Sequence, residues 1–281
     1  MLRLREAPEL PGPAALGLED YTPLFAKEPR LERVERLPDG RDGRERWRLP
    51  LPGTPGADGR LTGPPRGAGT GWLELWRWRG GAVFGPRPAD RTWNLLCSLR
   101  AAGVATPMPL FVAADGLFER SSVLLLRELE GYSPWLAAWR AATPRDRRLL
   151  ERALEAFVAR LARAGVRADG FVLDDVRVAP KAVEDEALDG GADCAALAIA
   201  GLREERARGS LTKNRMPSLT LAEPAGLAAG TWSEAARRTL WSRLAPALEE
   251  ARSLRLELRL ARALSGTRDR SARRAFVRAL H

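Results

Sequence analysis

Apolar and polar residues alternate through RLERVERLPDGRDGRERWRLPL, with Val34, Leu37, Trp47 and Leu49 as the apolar beats and PDGRDG, Pro38–Gly43, between them. Alternation with a Gly-rich turn in the middle predicts a β-hairpin. WLELWRW, Trp72–Trp78, alternates again, with Leu73, Leu75 and Arg77 on one side and Trp72, Glu74, Trp76 and Trp78 on the other, and predicts a strand. The period then changes. DRTWNLLCSLRAAGV, Asp90–Val104, places Trp93, Leu96 and Leu99 at helical spacing and stops at Gly103. PLFVAA and SSVLLLREL predict two strands around DGLF. SPWLAAWRAA predicts a short helix with Ser133 as N-cap and Pro134 as its first residue. Thr143–Val166 is the clearest helix: Thr143 caps it, Pro144 starts it, Leu150, Leu154, Phe157 and Leu161 form the buried stripe, and Gly165 ends it.

Beyond that helix come RAGVRADGFVLDD, a short strand VRV, an acidic turn EDEALDGGAD and an apolar strand CAALAI. From Pro224 onward the pattern is helical, ending in the Arg-rich amphipathic stretches LRLELRLARAL and SARRAFVRAL. Their plain reading is solvated charge over a Leu stripe. Residues 52–71 hold dense Gly and Pro and read as a loop. The division this implies is an N-terminal arm over 1–30, a β-rich lobe over 31–131 and a helical lobe over 132–281, an α+β chain of two lobes.

Composition narrows the chemistry more than the fold. Of 281 residues 45% are hydrophobic and 29% charged, which suits a soluble protein with a core. No apolar run approaches a membrane span, and the first residues lack the apolar stretch of a signal peptide. Two cysteines, Cys97 and Cys194, rule out a disulfide framework and fit a reducing cytoplasm. Net charge is +10, yet only Lys27, Lys181 and Lys213 are lysines, so arginine carries the charge. That skew reads as codon usage and solubility before it reads as nucleic-acid binding, which is the less favoured partner. The single histidine is the terminal His281. Ser-His-Asp and Cys-His nucleophile systems need an internal histidine, and zinc sites need His/Cys clusters, so both classes are excluded. What remains is carboxylates, arginines, backbone amides and bound Mg²⁺.

The order of elements resembles protein-kinase-like folds. RTWNLLCSLRAAGVATPMPLFVAADG, SSVLLLRELEG and ARAGVRADG are, more closely, similar to the lipopolysaccharide core kinase family, the Kdo and heptose kinases. Those proteins carry an E-W-x-N-L…G-[IV]-x-[TV]-P helix and turn, a Ser-Leu-Leu strand and an L-H-x-x-G-[VI]-x-H-x-D-L helix and loop. The resemblance covers roughly Arg33 to Leu219, is strongest at Trp93–Pro107, and implies a β-rich N-lobe, a helical C-lobe and envelope or surface-glycan chemistry at the inner face of the membrane.

It also implies site residues. The loop pattern H-R-D-L-x-x-x-N aligns with Arg167 to Asp174, so Asp169 stands at the proton-accepting position and Asp174 at a metal position. Gly40 and Gly43 stand in the turn that would cover phosphates, and Arg77 or Arg79 where the family keeps its phosphate lysine region. The departures are heavier. No lysine lies between Lys27 and Lys181, Arg91 stands near the helix Glu position, and Ala200 occupies the main metal-Asp position. Phosphoryl transfer depends on positioning and charge neutralisation, so three missing anchors predict little Mg·ATP affinity. Three readings follow: a pseudokinase with a binding or regulatory role and no cofactor; an active divergent sugar kinase using Mg·ATP, Asp169 and Asp174; or an unrelated basic α+β adaptor. The partner implied is an envelope glycan or another anionic ligand.

Overall fold

The structure, a computed structural model, describes residues 3–6, 20–26, 29, 34–50, 54–55, 61–62, 72–80, 86–114, 121–129, 131–167, 169–179, 217–225, 227–229, 233–251, 253–265, 274 and 278. CAALAI, Ala200, the LTKNR segment and the acidic turn lie outside the described residues, as do His281 and most of SARRAFVRAL. By contacts the chain forms two compact units, Met1–Cys97 with Pro107–Glu130, and Ser98–Thr106 with Gly131–His281.

The first unit is built on β1 (Arg3–Glu6), β2 (Glu35–Leu37), β3 (Glu45–Pro50), the two-residue pair β4 (Thr54–Pro55) and β5 (Leu61–Thr62), β6 (Trp72–Trp78), helix α1 (Pro88–Ala101), β7 (Pro109–Ala114) and β8 (Ser122–Arg127). Six strands form one antiparallel sheet in the order β1-β7-β8-β6-β3-β2. The β4–β5 ladder lies inside the stretch expected to be loop. Side chains alternate across a strand, so every sheet residue must choose a face. Leu49, Trp47, Leu73, Leu75, Phe111, Val123 and Leu125 take one face. Tyr21 and Leu24 cover it from a 3₁₀ turn at Thr22–Phe25, Tyr21 stacking on Phe111 at 4.4 Å. Trp76, Trp78, Val112, Leu124 and Leu126 take the other, under Ala89, Trp93 and Leu96 of α1. The first thirty residues thus supply an edge strand and part of a core. Both faces of β6 are closed, which explains why its four last residues are all buried.

The second unit contains β9 (Ser133–Pro134), α2 (Trp135–Ala141), α3 (Pro144–Arg163), β10 (Val166–Arg167), β11 (Val176–Val178), β12 (Leu219–Leu221), β13 (Ala228–Ala229), α4 (Glu234–Ala251) and α5 (Leu254–Ser265). Ser133 does not cap a helix. It pairs with Val178, as Pro134 does with Arg177, and α2 starts one residue later without a side-chain cap. The extended backbone that Pro imposes on its predecessor favours the strand. At α3 the expectation holds: the Asp146 amide donates to the Thr143 hydroxyl at 3.2 Å, and Gly165 takes φ +65° just past the end. Leu150, Leu154, Phe157 and Leu161 are buried, as are Leu256, Leu260 and Leu264 of α5, which packs against α3. Ser233 and Ser253 cap α4 and α5.

Candidate functional site

The hairpin turn uses its own glycines. The Gly40 amide donates to the Arg44 carbonyl at 2.8 Å, and the Gly43 amide to the Gly40 carbonyl at 2.9 Å. Gly43 has φ +75°, a conformation that side chains resist. A Cβ on Gly40 would lie 2.7 Å from both Cγ and Cζ of Arg44. Both amides that the resemblance would point at phosphate are therefore engaged inside the turn.

Arg44 explains the close approach. It is 1% exposed, on the α1-bearing face of the sheet. Its guanidinium lies 3.9 Å from the Trp76 ring and 6.0 Å from the Trp78 ring. Its Nη1 donates to Asp42 Oδ1 at 2.7 Å, while Trp78 Nε1 donates to Asp42 Oδ2 at 2.9 Å. The pattern continues along β3 and β6. Arg46 Nε and Trp76 Nε1 share Glu74 Oε1, at 2.5 and 2.6 Å, and Arg48 pairs with Glu128 at 2.8 Å over the Trp72 ring. Planar guanidinium groups stack on indole faces while their edges meet carboxylates, which lysine cannot do. Sequence reasoning missed this array, although Arg44, Arg46 and Arg48 alternate visibly in RERWRL.

Arg77 lies on the opposite face, 1% exposed. Its Nε donates to Glu45 at 2.7 Å, its Nη1 to the carbonyls of Leu24, at 3.3 Å, and Ala26, and the group sits 4.2 Å from the Trp47 ring. Burial pulls its pKa down from the ordinary arginine value, opposed by the bond to Glu45. The structure gives Arg77 an interior role, tying β6 to the turn before β2. Arg79 is half exposed and donates to the other Glu45 oxygen at 2.9 Å.

In the second unit, α3 runs through Gly165 into β10, which pairs with β13. Asp169 is exposed; its Oδ2 is 3.6 Å from Arg167 Nε, and its carbonyl accepts from Arg243 Nη2 at 2.6 Å. Phe171 is fully buried and anchors the loop. A 3₁₀ turn, Leu173–Asp175, follows. Asp174 is exposed, and its charge adds to the upward shift of the Arg140 pKa, which comes chiefly from the bond to Glu250. That same bond holds the Glu250 carboxyl below its ordinary range. The buried carboxylate is the next one: Asp175 Oδ2 accepts from the Val172 amide at 3.2 Å, and its carbonyl accepts from the Ala222 amide at 2.7 Å. Asp175 was not anticipated; a carboxylate three residues after an extended residue is its only sequence signal. Among the described residues no group of three or more His, Cys, Asp or Glu could hold a metal ion.

No protein-family model matches this sequence, and no curated protein matches it. Among solved structures the chain is similar to one described as WaaP in complex with acyl carrier protein, at 17% identity and a TM-score of 0.52. The likeness covers 87% of this chain and 86% of that one. Identity this low carries fold and not chemistry. The antiparallel sheet in the first unit, the helices in the second and this match together show a lipopolysaccharide-kinase-like fold.

Proposed function

We propose that this protein is a pseudokinase with the lipopolysaccharide-kinase-like fold, a binding or regulatory protein that does not turn over Mg·ATP. The observation that carries this reading is the state of β6. The two positions that face α1 beyond Glu74 are Trp76 and Trp78, both packed against α1 and the Arg44 guanidinium. The cation between them, Arg77, is turned to the other face and engaged by Glu45 and two carbonyls. On α1, Arg91 is exposed where the family's pairing Glu would stand. The residues present do not fit Mg·ATP in the family's manner: no lysine lies between Lys27 and Lys181, and the turn amides are already bonded. Envelope or surface-glycan assembly at the inner face of the membrane is the setting proposed with it. No helix among the described residues is long and apolar enough to cross a membrane.

The rival reading is an active phosphotransferase with Asp169 as base, Asp174 as metal ligand and Arg79 as an anion contact. It draws on the exposed Asp169 carboxylate, held on a loop pinned by Phe171 and Asp175. Isothermal titration and thermal shift with Mg·ATP separate the two. A ligand present at a hundred times its dissociation constant stabilises by about 2.7 kcal/mol. Millimolar Mg·ATP is expected to leave the melting temperature unmoved. A metal-dependent rise of several degrees, abolished by Asp174→Ala, would sink the pseudokinase reading.

A further inference from the structure

Apart from Pro144 at its start, every exposed residue of α3 is an arginine: Arg145, Arg148, Arg152 and Arg163. Separations of three, four and eleven residues are whole turns of a helix, so the four form one stripe about 27 Å long at 1.5 Å per residue. Half-buried Arg160 flanks it, and Ala156 and Ala159 fill the gaps. The helix has three carboxylates, and none pairs with Arg148 or Arg152. Asp146 accepts the Thr143 hydroxyl at 2.9 Å, Glu151 is buried, and Glu155 pairs with Arg259 at 2.7 Å and Arg262 at 3.8 Å of α5. Among the described residues, Arg148 and Arg152 have no ion pair, and Arg163 donates only to the Ala159 carbonyl at 3.4 Å. Other arginines of the two units are matched with carboxylates, as at Arg44, Arg46, Arg48, Arg77, Arg140 and Arg259. Arg148 and Arg152 are not.

We propose that the exposed face of α3 docks this protein on a bilayer of anionic lipid. A protein partner would need an exposed apolar or aromatic anchor at the centre of the contact, and between these arginines there are only alanines and the half-buried Leu149. Base-reading or base-stacking on nucleic acid would need amide or aromatic side chains, and the face has none. A fluid sheet of phosphate headgroups needs charge alone, and it adapts to a straight row of cations. The inference does not depend on whether nucleotide binds, so it stands or falls separately from the pseudokinase reading.

The test is co-sedimentation of the full chain with vesicles of phosphatidylcholine alone or mixed with phosphatidylglycerol. Binding is expected only to the anionic vesicles and should be lost at high salt, where screening shortens to a few ångströms. At about fivefold per surface arginine, Arg148→Ala with Arg152→Ala should weaken partitioning about thirtyfold. The double lysine variant should bind within about twofold of the parent, because a headgroup surface asks for charge and not for a planar fork. Arg238→Ala, which removes an exposed arginine already paired with Glu234 at 3.4 Å, should change nothing. Circular dichroism of each variant confirms that α3 is intact. Equal binding to neutral vesicles, an unaffected double alanine variant, or binding to duplex nucleic acid or an acidic polypeptide with none to vesicles would each overturn the proposal.

Discussion

Gly40 and Arg44 should be energetically coupled, and a double-mutant cycle measures the coupling. In Gly40→Ala the new Cβ would sit 2.7 Å from two Arg44 side-chain atoms, a distance real Cβ atoms do not tolerate. Gly40 carries no left-handed backbone, so the cost comes from the clash and not from φ. Arg44 cannot step aside freely: Asp42 holds one edge and Trp76 one face. Overpacking of this kind costs about 1–3 kcal/mol. Arg44→Ala removes a desolvated cation–π contact worth about 2 kcal/mol and one partner of Asp42. Asp42 is one-third exposed and regains water, which keeps the total near about 2–4 kcal/mol and below a fully buried pair. In the Arg44→Ala background the clash has no counterpart, so adding Gly40→Ala should cost little more. Urea unfolding followed by tryptophan fluorescence should therefore return a coupling of about 1–2 kcal/mol, against about 0.5 for independent sites. Strict additivity, or a Gly40→Ala variant as stable as the parent, would refute the packing described for this turn.

Thr143→Ala should cost about 1 kcal/mol through loss of the α3 N-cap, read from the same urea midpoints. Asp175→Ala should destabilise by about 1–3 kcal/mol because the Val172 amide loses its acceptor, whereas Asp169→Asn, at an exposed site, should stay within about 0.5 kcal/mol. Glu250 has a lowered folded pKa, so its contribution is present above the unfolded value of about 4.3 and is lost as pH falls through the folded one. The stability difference between the parent and Glu250→Gln should accordingly shrink in that acid window; a difference that grows on acidification would contradict the Arg140–Glu250 pairing.

Elements whose determinants are local could be read from the chain. Thr143-Pro144 at the start, the four-residue stripe and Gly165 define α3 within its own sequence, and β6 declares itself by period two. Trp93, Leu96 and Gly103 likewise mark α1. Partners separated by long stretches of chain could not be read. β1 is four residues long, and only its register with Phe111–Ala114 makes it a strand. Arg77 is a cation in a strand to the eye, but its meaning is set by Glu45, 32 positions away, and by carbonyls 51 and 53 positions away. Alternation did hint at the outcome, since it groups Arg77 with Leu73 and Leu75 on a face that fills a core. Ser133 reads as a cap because Pro follows it, whereas its partners lie on β11, and Asp175 has no signal beyond its spacing from Val172.

The Arg–Trp array bears directly on how the sheet of such a fold is held together without a lysine–glutamate pair. In an active phosphotransferase, a lysine on the strand and a glutamate on the helix form a polar link across the α1 face, held open for phosphate. Here that face contains Trp76 and Trp78 against Ala89, Trp93 and Leu96, with Arg44 and Asp42 closing the rim. A buried unpaired lysine or glutamate costs several kcal/mol, so loss of either partner alone destabilises the sheet. Trp76 and Trp78 on that face give apolar burial instead, at about 25 cal/mol per Å². That packing favours stability: a lysine placed at Trp76 would lose the ring beneath Arg44 and the indole bond to Glu74 without gaining a helix glutamate. Trp76→Lys should consequently unfold at lower urea and bind Mg·ATP no better than the parent. A Trp76→Lys variant that kept its stability and gained nucleotide affinity would show the array to be a recent cover over a preserved site.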